Sequence, residues 1–350
     1  MAYTTIDDPT IYFNTVLYTG NGGTQNITGV GFQTDFIWGK TRADNAGSGQ
    51  TNHILTDVVR GAGKNLFSDR NVSERTNSAR HSGFLSDGFS VGNDGQVNSN
   101  SSTYVAWNWK AGGSASSNSD GDITSSVSAG STPGFSIIKY TGTGSNATVG
   151  HGLGSAPKMI IFKNTNSTRD WGVYHGDLGD PDNYLTLNQT YAKTTGYNFS
   201  NDTAPTSFVF SVGTLTNNNG SSQEYIAYCF AEKKGYSKFG SYTGNGNANG
   251  PFIYTGFKPA FFLVKNITNA GYDWELRDNK RDSYNPVGYR LEANTSDAES
   301  SYYAEYDFVS NGIKIKQNGN NYNTSGASYI YMAFAESPFV NSNGVPTNSR

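Results

Sequence analysis

Few groups in this chain have the type and spacing to do chemistry. Four histidines, His53, His81, His151 and His175, are scattered without the short spacing that turns two imidazoles onto one metal ion, and Cys229 has no second cysteine to pair with. His175 follows Trp171 by four residues, yet no Gly-x-Ser-x-Gly elbow or similar nucleophile setting accompanies it, so it reads as a turn or surface histidine. Ser119-Asp120-Gly121-Asp122 has the alternate aspartates of a calcium loop but not its remaining ligands or closing glutamate, and reads as a solvated turn. Asp177 with Asp180, and Glu299 with Glu305, are the carboxylate pairs that glycoside hydrolysis would need, although scattered loop acids usually serve solubility. The phrase Tyr-Thr-Gly-x-Gly has neither the lysine-serine pair nor the helix of a phosphate cradle, and reads as a turn. The expectation is a chain with no catalytic residues, no metal site and no cofactor.

Tyrosine is the better candidate for recognition. Tyr184, Tyr191 and Tyr197 form one group, and Tyr289, Tyr302 and Tyr303, with Tyr284 and Tyr306 nearby, form another. Tyrosines among Asn, Ser and Gly make adaptable contact surfaces of the kind found in antibody loops and carbohydrate-binding faces. These six tyrosines are the expected binding residues: Tyr184, Tyr191, Tyr197, Tyr289, Tyr302 and Tyr303.

The elements that must position them repeat. Tyr-Thr-Gly-x-Gly stands at Tyr18, Tyr140 and Tyr242, and each copy is followed at nearly constant separation by a lysine (Lys40, Lys163, Lys265), a strand (at Phe89, Phe210, Ile313) and a closing aromatic (Trp109, Phe230, Phe334). Short runs rich in aromatic and β-branched residues, bounded by Gly, Asn, Asp and Ser, read as strands, and no amphipathic helix of useful length appears. The expected fold is all-β: three tandem related antiparallel β-sandwich modules, jelly-roll-like. The divisions are an N-terminal arm (1–14), module 1 (15–111), a Gly/Ser-rich linker (112–132), module 2 (133–236), module 3 (237–340) and a C-terminal tail (341–350). The linker predicts a separately placed module 1, and the short joint at Lys233 to Lys238 predicts a rigid pair of modules 2 and 3. In Ile226, Tyr228 and Phe230 the bulky residues recur at period two, which predicts a half-buried closing strand; Trp171 and Trp274 occupy equivalent positions and are expected in the core.

Composition narrows the partners. Charged residues are only 15% of the chain and the net charge is -3, so there is no basic field for nucleic acid or an anionic membrane surface. Disorder is not expected, because 23 Tyr, 20 Phe and 5 Trp supply large rings to bury. The N-terminus MAYTTIDDPTIYF has no basic or apolar signal region, and no window approaches a membrane span, so no export signal and no membrane insertion are expected.

The phrases YVAWNWKAGG, GFSIIKYTG, APKMIIFK, YIAYCFAEKKGYSKFGSYTGNGN, GFKPAFFLVK and YIYMAFAE, between MAYTTIDDP and GVPTNSR, resemble an uncharacterised family of virion structural and tail-fibre proteins. It occurs in tailed phages of marine bacteria, cyanophages and pelagiphages among them. The resemblance implies a non-enzymatic protein of the bacteriophage virion, assembled in the host cytoplasm, with other virion proteins as partners and homo-oligomers expected. A tail-fibre or surface appendage making host attachment through glycans is the first reading. A capsid decoration protein on the head shell, held through its N-terminal arm, is the second, and a glycan depolymerase is the third. The chain has no heptads and no evident fibre stalk.

Overall fold

Alternation along the closing strands sends their side chains into two different cores. The computed structural model describes residues 3–43 and 52–348. In it Val105, Trp107 and Trp109 enter one large central core together with Ile226, Tyr228, Phe230, Ile330, Met332 and Phe334. The residues between them enter smaller cores, one per module: Ala106 in the first, Tyr225, Ala227 and Cys229 in the second, Tyr329, Tyr331 and Ala333 in the third. Period two here marks strands covered on both faces, not the half-buried strands expected. The second face is closed by another sheet of the same module.

Each module builds an inner sheet from four antiparallel strands in the order opening, closing, central, corner. The opening strands are Phe13–Thr19, Phe135–Thr141 and Ser237–Thr243; the closing strands are Thr103–Trp109, Glu224–Phe230 and Ser328–Pro338. The central strands are Phe36–Thr41, Met159–Asn164 and Phe257–Asn266, and the corner strands are Ile54–Asp57, Gly172–His175 and Trp274–Asp278. An outer strand pair packs behind each: Gln25–Ile27 with Gly88–Val91, Ala147–Gly150 with Val209–Val212, and Phe252–Tyr254 with Gly312–Ile315. In module 3 Val287–Glu292 and Ser300–Val309 join the two layers into one continuous sheet. The fold is an all-β sandwich, and among the described residues no helix is long and apolar enough to cross a membrane.

The Tyr-Thr-Gly turns are closed in the same way three times. Tyr18 stacks on Tyr104 with ring centroids 5.0 Å apart, Tyr140 on Tyr225 at 5.3 Å and Tyr242 on Tyr329 at 4.9 Å. Their hydroxyls donate to the carbonyls of Val97, Asn218 and Tyr322. A buried asparagine then accepts a backbone N–H of each turn: Asn98 from Asn21, Asn219 from Thr143 and Asn323 from Asn245. Buried donors and acceptors need such partners, which explains why polar residues recur at these buried positions.

The Gly/Ser-rich segment 112–132 is not a flexible linker. Ser116–Asn118 and Ser125–Gly130 are strands, and the second pairs antiparallel with the opening strand of module 2 from Ser126↔Lys139 to Gly130↔Phe135. Small side chains let it lie close along that edge, while Ile123 and Val127 bury in the core of module 2. Nor is module 1 placed separately. Trp109, Phe230 and Phe334, the closing aromatics, meet at the centre with ring centroids 5.7 to 6.3 Å apart. A core of rings from all three modules has no seam along which one of them could move alone.

The modules meet in a closed ring of equivalent contacts. Tyr228 of module 2 donates to Asp57 of module 1 at 2.8 Å, and the indole of Trp107 of module 1 donates to Asp278 of module 3 at 3.0 Å. His175 of module 2 bonds to the carbonyl of Tyr331 of module 3 at 3.3 Å, which closes the ring. A second set joins the same three pairs of modules, with the donor at the joint of modules 2 and 3 now on module 3. Trp171 donates to the carbonyl of Phe67, Trp274 to that of Thr186, and His53 to that of Glu292. The N-terminal arm packs on its own chain: Tyr3 donates to the carbonyl of Gly256, Ile6 enters the central core, and Asp7 holds Ser342 of the C-terminal tail.

Candidate functional site

All four histidines are buried and neutral, which corrects the reading of His175 as a surface residue. Its Nδ1 accepts the backbone N–H of Asp177 at 3.1 Å, so Nε2 carries the proton given to Tyr331. His53 is fixed likewise: Nδ1 accepts from Trp38 at 2.9 Å and Nε2 donates to Glu292 at 2.9 Å. In His151, Nδ1 accepts from Leu153 and Nε2 donates to Thr206. Burial pushes His175 down to about 4, His81 to about 3 and His53 well below its ordinary value. Burial also raises the Cys229 thiol well above its ordinary range, as suits an inert core residue.

The acids are similarly engaged. Asp122 accepts from the backbone N–H and hydroxyl of Thr148, and Asp120 accepts from Asn118, so the would-be calcium loop pins the 112–132 hairpin to the outer strand of module 2. Among the described residues no group of three or more His, Cys, Asp or Glu is arranged to hold a metal ion. Glu299 bridges Arg42 and Arg281 across modules 1 and 3, while Glu305 pairs with the fully buried Arg277, as does Glu275. Tyr306 and Tyr322 donate to these two glutamates, which ties the added strands of module 3 to its corner strand. Lys163 and Lys265, the equivalent lysines of modules 2 and 3, sit among backbone carbonyls; burial lowers them to about 7 and about 8.

The expected tyrosines do not converge on one site. Tyr184 is buried and stacks on Phe199 at 4.7 Å, with Tyr197 edge-on to it at 6.3 Å. Tyr197 is exposed and lines a cleft of about 490 Å³ with Asp180, Asp182, Asn183 and Asp202. Tyr191 is exposed, and Tyr289 lies beneath the Arg42 guanidinium on the seam between modules 1 and 3. Tyr302 and Tyr303 belong to the strand Ser300–Val309, and their side chains lie outside the described residues. Tyr306 is in the core of module 3. Tyr284, by contrast, is 85% exposed and rims a cleft of about 250 Å³ lined by Lys258, Asp282, Asn285 and Glu336.

Two exposed rings were hidden in a regular strand. Phe252 and Tyr254 flank Ile253, which faces the core of module 3, so both rings face outward. The aromatic-Ile-aromatic alternation was the signal, because the matching stretch of module 1 reads Asn26-Ile27-Thr28.

The molecule is thus a closed β-sandwich assembly in one chain, with polar, tyrosine-bearing clefts on its loops. The chain belongs to the family described as a domain of unknown function, DUF7483, whose model matches residues 8–338. No curated protein matches it.

Proposed function

We propose that this chain is a non-enzymatic structural protein of a phage virion, carried on a tail fibre or other surface appendage that contacts host-surface glycans. The observation that carries this reading is the presentation of Tyr197 and Tyr284. Each stands exposed at the rim of a polar cleft, Tyr197 against the core of module 2 through Tyr184 and Phe199, Tyr284 beside Val287 and Phe308 of the core of module 3. An aromatic ring beside Asp and Asn side chains offers a stacking surface and directional hydrogen bonds to sugar hydroxyls. A rigid scaffold lowers the ordering cost of binding. The resemblance to virion proteins supports the location, and the same resemblance supports homo-oligomers and other virion proteins as partners.

The capsid-decoration reading relied on a free arm, and here Tyr3, Ile6 and Asp7 are committed to their own chain. Immunogold labelling of particles with antibody to this chain separates the two: label confined to the tail is expected, and label spread over the head would overturn the appendage reading. Purified protein is expected to bind saccharides on a glycan array, and Tyr197→Ala and Tyr284→Ala should each weaken that binding. Release of new reducing ends from the bound polysaccharide would instead revive the depolymerase.

A further inference from the structure

The outer strand pair is presented differently by each module. In module 1 the outward positions of the edge strand are the polar Asn26 and Thr28, both exposed. In module 2 the matching Thr148 and Gly150 are covered by the 112–132 hairpin, through Ile123 N–H to the Thr148 carbonyl and through Asp122. In module 3 the same positions are Phe252 and Tyr254, 48% and 55% exposed. Nothing in the shared fold requires rings there, since module 1 closes the same pair with Asn and Thr.

The rings are laid out as a platform. Phe252 lies over Gly312 of the neighbouring strand, where a Cβ would come within 2.8 Å of its Cζ. Tyr254, two residues on and so about 7 Å away, is steadied by the Tyr3 hydroxyl at 3.2 Å. A lysine stands at each end: Lys314 is paired across the strands with Phe252, and the Lys234 ammonium sits 4.4 Å over the Tyr3 ring. Lys314 also donates to the Gly250 carbonyl, and Asp307, its partner on the next strand, is bonded to Lys316, so this end of the face carries two ammonium groups to one carboxylate.

We propose that Phe252 and Tyr254 form a stacking platform for an acidic polysaccharide, whose pyranose rings lie on the two aromatics while Lys234 and Lys314 meet its carboxylate or sulfate groups. Sugar rings present C–H faces that suit an aromatic surface, and the flanking ammonium groups favour an anionic chain over a neutral one. This rests on the glycan-contact reading above and names the class of glycan.

The test uses the full-length protein with alginate as the carboxylated probe, dextran sulfate as the sulfated one and laminarin as the neutral control. The variant Phe252→Asn/Tyr254→Thr carries the residues of module 1 and should keep the wild-type melting temperature. It is expected to bind the acidic probes at least tenfold more weakly, and Lys314→Gln should weaken them while sparing any laminarin binding. Wild-type affinity in the double variant, with binding lost in Tyr197→Ala or Tyr284→Ala, would overturn the platform and leave the glycan reading standing. Equal affinity for laminarin and alginate would overturn the acidic assignment. Failure of the wild-type protein to bind any saccharide would overturn both readings.

Discussion

Two corners of the ring use a buried ion pair where the third uses a neutral imidazole. At Asp57 one carboxylate oxygen accepts the backbone N–H groups of Val59 and Arg60, and the other meets the Arg60 guanidinium and the Tyr228 hydroxyl. At Asp278 the arrangement recurs with Lys280, Arg281 and Trp107. The third corner has His175 and Leu178 in the places of acid and arginine, and the closing strand opposite carries Met332 in line with Tyr228 and Trp107. A methionine has no hydrogen to give a carboxylate. A buried acid there would be left short of partners, whereas His175 satisfies the turn that follows its strand and a backbone carbonyl across the seam. Donor, acid and arginine thus change together, and the ring closes by two electrostatic solutions to one geometry.

The comparison can be broken most forcefully at the charged corners. Asp57→Asn and Asp278→Asn each take from a buried arginine the nearer of its two carboxylates, leaving Glu74 to Arg60 and Glu299 to Arg281, and should cost about 3 kcal/mol in urea unfolding. His175→Asn should cost less, about 1–3 kcal/mol, because only neutral hydrogen bonds are disturbed. The pH dependence should also separate the two kinds of corner. His175 is depressed from its unfolded value, so the stability it contributes is present above pH 6.5 and is lost as the pH falls toward 4. The unfolding free energy should drop by up to about 1.4 kcal/mol per pH unit for each such histidine, and His175→Asn should remove one histidine's share of that slope. The smallest effects belong to what the modules have in common. Tyr18→Phe, Tyr140→Phe and Tyr242→Phe each delete one hydroxyl bond and should cost about 0.5–1.5 kcal/mol, nearly equally at the three turns. A large spread among them would show that the turns are not equivalent.

Much of the fold was legible because its signals are local. Ile226, Tyr228 and Phe230 announce one strand face by alternation, and the Tyr-Thr-Gly turns announce where strands begin. The 112–132 segment misled because serine and glycine look like coil; its strand character comes from the open edge of Phe135–Thr141, which composition does not show. The site was less legible. Tyr184 and Tyr197 look alike in sequence, but one is stacked on Phe199 and the other reaches solvent, a difference set by residues on other loops. Phe252 and Tyr254 were passed over because a strand with three apolar residues reads as core until its outer face is known to be open.

By itself the sequence determined an all-β chain with strands carrying bulky residues at period two and three copies of one turn, since period, propensity and turn chemistry act over a few residues. Only the tertiary structure decided that the three stretches close into a ring around Trp109, Phe230 and Phe334, that His175 is a buried joint, and that the rings of module 3 face water. Those outcomes depend on partners a hundred residues or more apart in the chain, such as Tyr228 with Asp57 or Trp107 with Asp278, and burial is a property of the assembled surface rather than of the segment that carries the residue.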